Sequence, residues 1–391
     1  MIVRQFISWV RSASAGERAD ATRALARAWL ISDWTDADRD AAEGALLMQL
    51  DDPSPLVRQA MAEVFARSTE APAAIVQALS SDQPSVALPI LEYSPLLIDA
   101  DMVDIVATGN SEMQCAIARR TGLPAPVCAA IAEVGSAAAA LELIENPRAE
   151  LPPFSWDRIV ERHGHLAAIR EAMLDLDDLP AATRAALVDK LSDTLAQFVV
   201  ARNWLSADRA GQIASEARDR SKINIAAHSR GEELRGLVRH LRATSQLTAG
   251  LILRALLSGN FELFETALSE LADLPLARVS ALLNDRGVAG LNALLRRAAI
   301  PESTFDAFRA ALDVCHETGF ADTAGGAANL QRRMVERVLT HCATDRDAAE
   351  PLLILLRRFA TESAREEARQ FCDEAMAQDF VARIEQRQIA A

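Results

Sequence analysis

The sequence predicts an all-α fold, an α-solenoid of stacked helical hairpins, on three observations. Half of the 391 residues are apolar while only 5% are aromatic. Alanine and leucine dominate, no run alternates Val, Ile and Thr, and both dominant residues lose little side-chain freedom in a helix. Proline and glycine recur with a fixed cadence. Between them, apolar residues fall at helical spacing.

The cadence is carried by Pro95, Pro124, Pro152 and Pro180, spaced 29, 28 and 28 residues apart, and resumes at Pro275 and Pro301, spaced by 26. All but Pro95 follow Leu or Ile. Gly109, Gly135, Gly164, Gly259 and Gly287 precede the last five prolines by 14 to 17 residues. Gly ends a helix by tolerating the left-handed cap, and Pro suits the first turn, where its missing N–H is not needed. The residue before Pro is pushed out of the helical region, so the preceding helix stops. Each unit therefore reads as a pair of short helices repeating every 26–29 residues.

Within the units, Val127, Ile131 and Val134 follow Pro124, and Leu187, Leu191, Leu195 and Phe198 follow Pro180. Phe264, Leu268 and Leu271 follow Gly259, and Phe305, Phe308 and Leu312 follow Pro301. Spacings of three and four give each helix one apolar face, expected to be buried. One such helix cannot bury its face alone, so the units are expected to stack.

Near the start, LDDPSPLVRQAMAEVFAR (Leu50 to Arg67) looks like a HEAT-type repeat, with Asp-x-x-x-x-Val-Arg entering its second helix, and SDQPSVALPILEY is a weaker echo. Residues 1–200 read as the N-terminal HEAT-like stack. Between Ala201 and Thr248 the cadence stops. Ser206 is a candidate cap for ADRAGQIASEARDR. SKINIAAHSRGEE reads as an irregular connection, and ELRGLVRHLRATS as a helix. Residues 201–246 thus form a basic connector, and residues 247–391 a C-terminal helical block. HETGFADTAGGAANL (His316 to Leu330) reads as a mobile loop. Thr361 to Gln388 reads as a terminal amphipathic helix with Phe371, Phe380 and Ile384 inward.

The segment from Leu247 to Pro301 closely resembles the C-terminal part of an alphaproteobacterial family of helical, HEAT-like proteins, domain of unknown function 2336. The resemblance is carried by Leu253 to Gly259, by LFETALSEL at Leu263 to Leu271 and by LLRRAAIP at Leu294 to Pro301. The Leu-Pro units at Pro124 and Pro180 fit its earlier repeats, and the resemblance spans about residues 40 to 312. It implies an all-helical repeat fold and brings no catalytic residues.

The formal charge of −14 disfavours nucleic-acid binding by the chain as a whole. Five cysteines without a CxxC fit reduced thiols and a cytoplasmic protein. No apolar stretch reaches membrane-spanning length. Phosphate-loop, zinc-helix and nucleophile-elbow patterns are absent from the sequence, so neither an enzyme nor a cofactor is expected. Cys315-His316 with His341-Cys342, and His163 with His165, are the remaining candidates for soft metal ligands. Buried thiols and surface imidazoles are the commoner outcome for such residues.

One basic island stands out. Residues 202–242 hold nine basic against five acidic residues. Within it Arg218, Arg220, Lys222, Arg230, Arg235, Arg239 and Arg242 are the candidate contacts for an anionic partner, against a bland alternative of a solvated helix face paired with acidic neighbours. The expected function is a non-catalytic protein-interaction scaffold or adaptor, in bacterial signalling or regulation, with a protein partner. The alternatives are a HEAT-like DNA-binding or DNA-repair enzyme, and a phosphate- or phosphoprotein-sensing module built on the basic island.

Overall fold

A computed structural model describes residues 6, 8–10, 12–285, 287–318, 326–344, 352–362, 364, 365, 368, 369 and 372. Among them every regular element is helical. The chain forms two compact units, Met1–Leu179 and Pro180–Ala391.

The first unit contains α1 (Ala15–Ile31), α2 (Asp36–Gln49), α3 (Pro55–Phe65), α4 (Ala73–Ser80), α5 (Pro84–Tyr93) and α6 (Asp99–Thr108). It continues with α7 (Ser111–Ala118), α8 (Ala125–Val134), α9 (Ala137–Glu145), α10 (Pro153–His163) and α11 (Ala167–Leu174). Helices pack on their next-but-one neighbours. α1, α3, α5, α7, α9 and α11 form one series, and α6, α8 and α10 another. Phe65, Ile90, Ile117 and Ile131 on these helices are fully buried.

Side chains show which way the helices of a series run. Arg120, just beyond α7, donates to the carbonyls of Leu91 and Ser94 at the end of α5, at 2.7 and 2.6 Å. Arg162 in the last turn of α10 donates to those of Ala132 and Gly135 at the end of α8, at 2.9 and 2.8 Å. Helix C-termini carry orphan carbonyls and a partial negative charge, and a guanidinium answers both. Alternate helices are therefore parallel, with C-termini side by side.

The segment from Leu50 to Arg67 takes part in a second recurring contact. Arg18 binds the Asp52 carboxylate through two nitrogens at 2.7 and 2.8 Å, and Arg58 binds Asp82 in the same way. Asp52 and Asp82 each also accept from a backbone N–H just downstream, that of Ser54 and of Gln83. The Arg18 hydrogen bond holds the Asp52 carboxyl below its ordinary range. A depressed carboxylate contributes stability above its unfolded value of about 4, lost as pH falls through the folded value. Thermal melts of the wild type should therefore lose stability in acid below about pH 4. Asp52→Asn should flatten that part of the profile; an unchanged acid limb would contradict the assignment.

Boundary residues act by two routes. Pro124, Pro152, Pro180, Pro275 and Pro301 stand at N-cap positions with φ between −57 and −74° and extended ψ, one residue ahead of the expected first turn. There the proline carbonyl accepts the first helical bond, as Pro180 does from Arg184. Pro95 lies between α5 and α6. Only Gly259 among the marker glycines is left-handed, at φ +74°. Gly109 and Gly135 are extended, and a Cβ on Gly135 would stand 2.5 Å from the Ile131 carbonyl oxygen. Close approach, not a left-handed cap, demands glycine there. Gly135→Ala should cost about 1–3 kcal/mol in urea denaturation, and an unshifted midpoint would contradict that packing. Gly287 caps the start of a helix instead of ending one.

The second unit contains α12 (Ala181–Ala201), α13 (Ala207–His228), α14 (Gly231–Ala243), α15 (Ala249–Leu257), α16 (Phe261–Ala272) and α17 (Leu276–Asn284). They are followed by α18 (Val288–Arg297), a short 3-10 turn (Glu302–Thr304), α19 (Phe305–Thr318) and α20 (Gly326–Thr344). Residues 352–362 are also helical. Next-but-one packing recurs as α12–α14–α16–α18. Arg297 at the end of α18 again donates to Ala272 at the end of α16, at 2.5 Å. Phe264 and Phe308 stack at 6.0 Å in the core.

Two expectations change on this ground, and a third lies outside the described residues. SKINIAAH is the last part of α13, not an irregular connection, because Ile223 and Ala226 are buried against the core and hold the helix through it. His316 to Thr318 close α19, and Gly326 to Leu330 open α20, while residues 319–325 lie outside the described residues. Phe371, Phe380 and Ile384 lie outside them too, so the terminal amphipathic helix is not placed.

Candidate functional site

α12 and α13 are the longest helices among the described residues, at 21 and 22 residues, and they form a hairpin arm. Ser206 caps α13 as its sequence position suggests, accepting from the Arg209 N–H. The near half of α12 enters the core through Ala181 and Ala185. Beyond it the expected burial fails. Leu187 is buried, yet Leu191, Leu195 and Phe198 on the same stripe face solvent. With Trp204, Leu205 and Ile213 they are 36–64% exposed. Within residues 191–217 only Ser192, Ala210 and Ala214 are buried. Small residues zip the two helices together and leave the large ones outside. An apolar groove of about 160 Å³ runs between the helices, lined by Leu195, Val199, Leu205, Ile213 and Ala217 among others. At the tip, Trp204 meets Phe198 edge-on at 5.6 Å.

The seven basic candidates do not converge on one point. Arg218 pairs with Asp193 at 2.9 Å, Arg220 with Glu362 at 3.0 Å, and Arg230 with Glu262 at 3.1 Å. Arg235 and Arg239 share Glu232, at 3.3 and 2.9 Å, and Arg242 meets Glu270 at 2.8 Å. The Arg239 hydrogen bond leads in holding the Glu232 carboxyl below its usual range. Lys222 is turned inward and only 3% exposed. Its ammonium lies 3.0 Å from Asp189 and donates to the Gln246 side-chain oxygen at 2.6 Å. The Gln246 amide in turn donates to Asp189 at 2.8 Å. This closed triad ties α12, α13 and the turn before α15 together.

Arg220 also borders a cleft of about 490 Å³ formed by α13, α15, α20 and residues 352–362. Arg254 lines it too, and the island did not include it. Its guanidinium is buried, 4.2 Å over the Phe359 ring, with Glu216 O and the Glu362 carboxylate each 3.4 Å away. Burial lowers its pKa. Charge-assisted bonds ordinarily run to about 2.7–2.9 Å, so both oxygens stand at long range, and the Asp219 carboxylate adds a further negative neighbour. Ser221, Asn224, Ser258 and Gln331 add neutral polar groups to the lining. The sequence does carry a signal for Arg254: a lone arginine inside the apolar run LILRALL.

The soft-ligand candidates are spread apart in role. Cys315 is buried with its sulfur 3.4 Å from that of Met334, and burial pushes its thiol up to about 11. His316 meets the Leu283 carbonyl at 3.0 Å, and His163 that of Gly135 at 3.3 Å. The Cys342 side chain lies outside the described residues. Among the described residues no three His, Cys, Asp or Glu side chains are grouped to hold a metal ion, and no helix is long and apolar enough to cross a membrane.

Paired helical series and an exposed apolar arm define an all-helical protein. The chain belongs to the bacterial family described as "Uncharacterised protein conserved in bacteria (DUF2336)", whose model matches residues 86–346. The match begins later and runs further than the stretch of resemblance read from the sequence. No curated protein and no solved structure matches the chain.

Proposed function

We propose that the chain is a non-catalytic interaction scaffold, an α-solenoid of HEAT-like hairpins, that docks a protein through the α12–α13 arm. The single observation behind this function is the row of large apolar side chains held in water along a two-helix arm. Scattered exposed apolar residues are ordinary, but a contiguous row rimmed by polar residues marks a protein interaction surface. Repeated helix pairs supply the rigid base from which the arm projects its row. A photo-crosslinking amino acid in place of Leu195 should capture protein in living cells, while one in place of the exposed Asp20 should not. Equal or absent capture at the two positions would contradict the docking role.

The two arginines that line the α13–α15 cleft, Arg220 and Arg254, favour a second function, recognition of a phosphate or carboxylate group there. Inorganic phosphate should raise the thermal midpoint of the wild type by mass action. Arg220→Ala, which removes the exposed cation of the cleft, should weaken that response. Equal shifts in both proteins would remove the cleft as an anion site.

A further inference from the structure

Resting on the arm as the docking surface, we propose that its occupant is a second copy of this chain. Two arms pair about a two-fold axis into a four-helix bundle.

The arm has no core of its own. Its two helices meet through Ser192, Ala210 and Ala214, and those small side chains bury little. Four-helix bundles solve the same problem by closing two hairpins over one shared apolar seam. A two-fold interface also makes a strict demand: one surface must complement itself, so ridge and groove must both be present on each copy. The arm carries both. α12 offers the ridge, Leu191, Leu195 and Phe198, at spacings of four and three. α13 offers the small, exposed Ala207, Gly211, Ser215 and Ala217, which allow close approach, while Ala210 and Ala214 are already taken up by the contact with α12. The 160 Å³ apolar groove between the helices is the receiving slot.

Charge points the same way. The chain is at −14, so two copies repel over most of their surface. Residues 190–218 hold four basic and three acidic residues, so the arm is where two copies meet with least repulsion. The uncharged stretches 194–201 and 210–215 form its middle, while the charges sit near the tip and the base. An apolar centre with a charged rim is the usual anatomy of an interface. The area suffices as well. The six side chains are 36–64% exposed, so together they hold on the order of several hundred Å² of apolar surface still open to water. Covering this on two copies, with the flanking helix surface, approaches the about 800 Å² per partner of a stable pair.

Sedimentation equilibrium of the purified full chain tests the pairing. The expected result is a mass twice 42.3 kDa at tens of micromolar, with Leu195→Glu/Phe198→Glu weakening association about 100-fold or more. Both side chains are about half exposed in the single chain, so helical circular dichroism should be kept, and the thermal midpoint should fall only by the stabilisation that association supplies, a difference that shrinks on dilution. Ile213→Glu, on the opposite helix of the arm, gives an independent variant with the same expected loss. A wild type at single mass at every concentration up to about 100 μM, or a dimer indifferent to all three glutamates, would overturn the pairing. A monomer that still crosslinks to another protein through position 195 in cells would overturn the second copy alone. A monomer without such an adduct would overturn the docking surface as well.

Discussion

Replacing Lys222 by methionine is expected to destabilise the second unit by about 3–5 kcal/mol, because one member of a buried ion pair is removed and the other keeps its charge. Lys222 and Asp189 are both nearly enclosed, with side chains 4% and 14% exposed. Gln246 is oriented by both, donating to one and accepting from the other. Methionine fills the same space without a charge, so Asp189 is left facing an apolar neighbour. The decisive companion is Lys222→Met/Asp189→Leu, in which no charge remains. Paired apolar replacements at such sites are often neutral or better, so the double variant should recover most of the loss in urea denaturation. A double variant as unstable as the single one would show that Lys222 matters through packing alone.

Phe308→Ala is expected to cost about 3–5 kcal/mol, the range for truncating a fully buried phenylalanine. Phe308 stacks on Phe264 with an interplanar angle of 21°, and neither is exposed. The pair joins α16 to α19 in the centre of the second core. Phe308→Leu keeps most of the volume and should cost markedly less. Denaturant midpoints with native-state hydrogen exchange on α16 and α19 measure both. Equal losses for leucine and alanine would mean that ring stacking, and not filled volume, dominates at this site.

The sequence made the helices legible because proline and glycine act locally. A proline fixes φ for itself and expels its predecessor from the helical region whatever surrounds it, so Pro124, Pro152, Pro180 and Pro275 mark helix starts within one residue. Glycine is less transparent. Gly135 and Gly259 look alike in sequence, yet one is needed for a close approach and the other for a positive φ. Periodicity shows that a helix has an apolar face, but not what covers it. Leu187 and Leu191 share one stripe on α12, and only the first meets the core. Charge behaves in the same way. Counting put Lys222 with the arginines of the basic island, while its burial against Asp189 depends on a turn 24 residues further on. Arg120, Arg162 and Arg297 show the converse. Their capping of neighbouring helix ends needs tertiary contact to be seen, although each sits near the end of a helix, where a basic residue is favoured.

The central claim is that the apolar row of the α12–α13 arm is covered by the same arm of a second copy. Hydrogen exchange of the full chain at high and low concentration tests it most directly. Protection of amides in residues 191–217 should fall on dilution, while α14 and α16 in the core stay protected throughout. Protection of the arm that does not change with concentration, or a change confined to other helices, would contradict the claim.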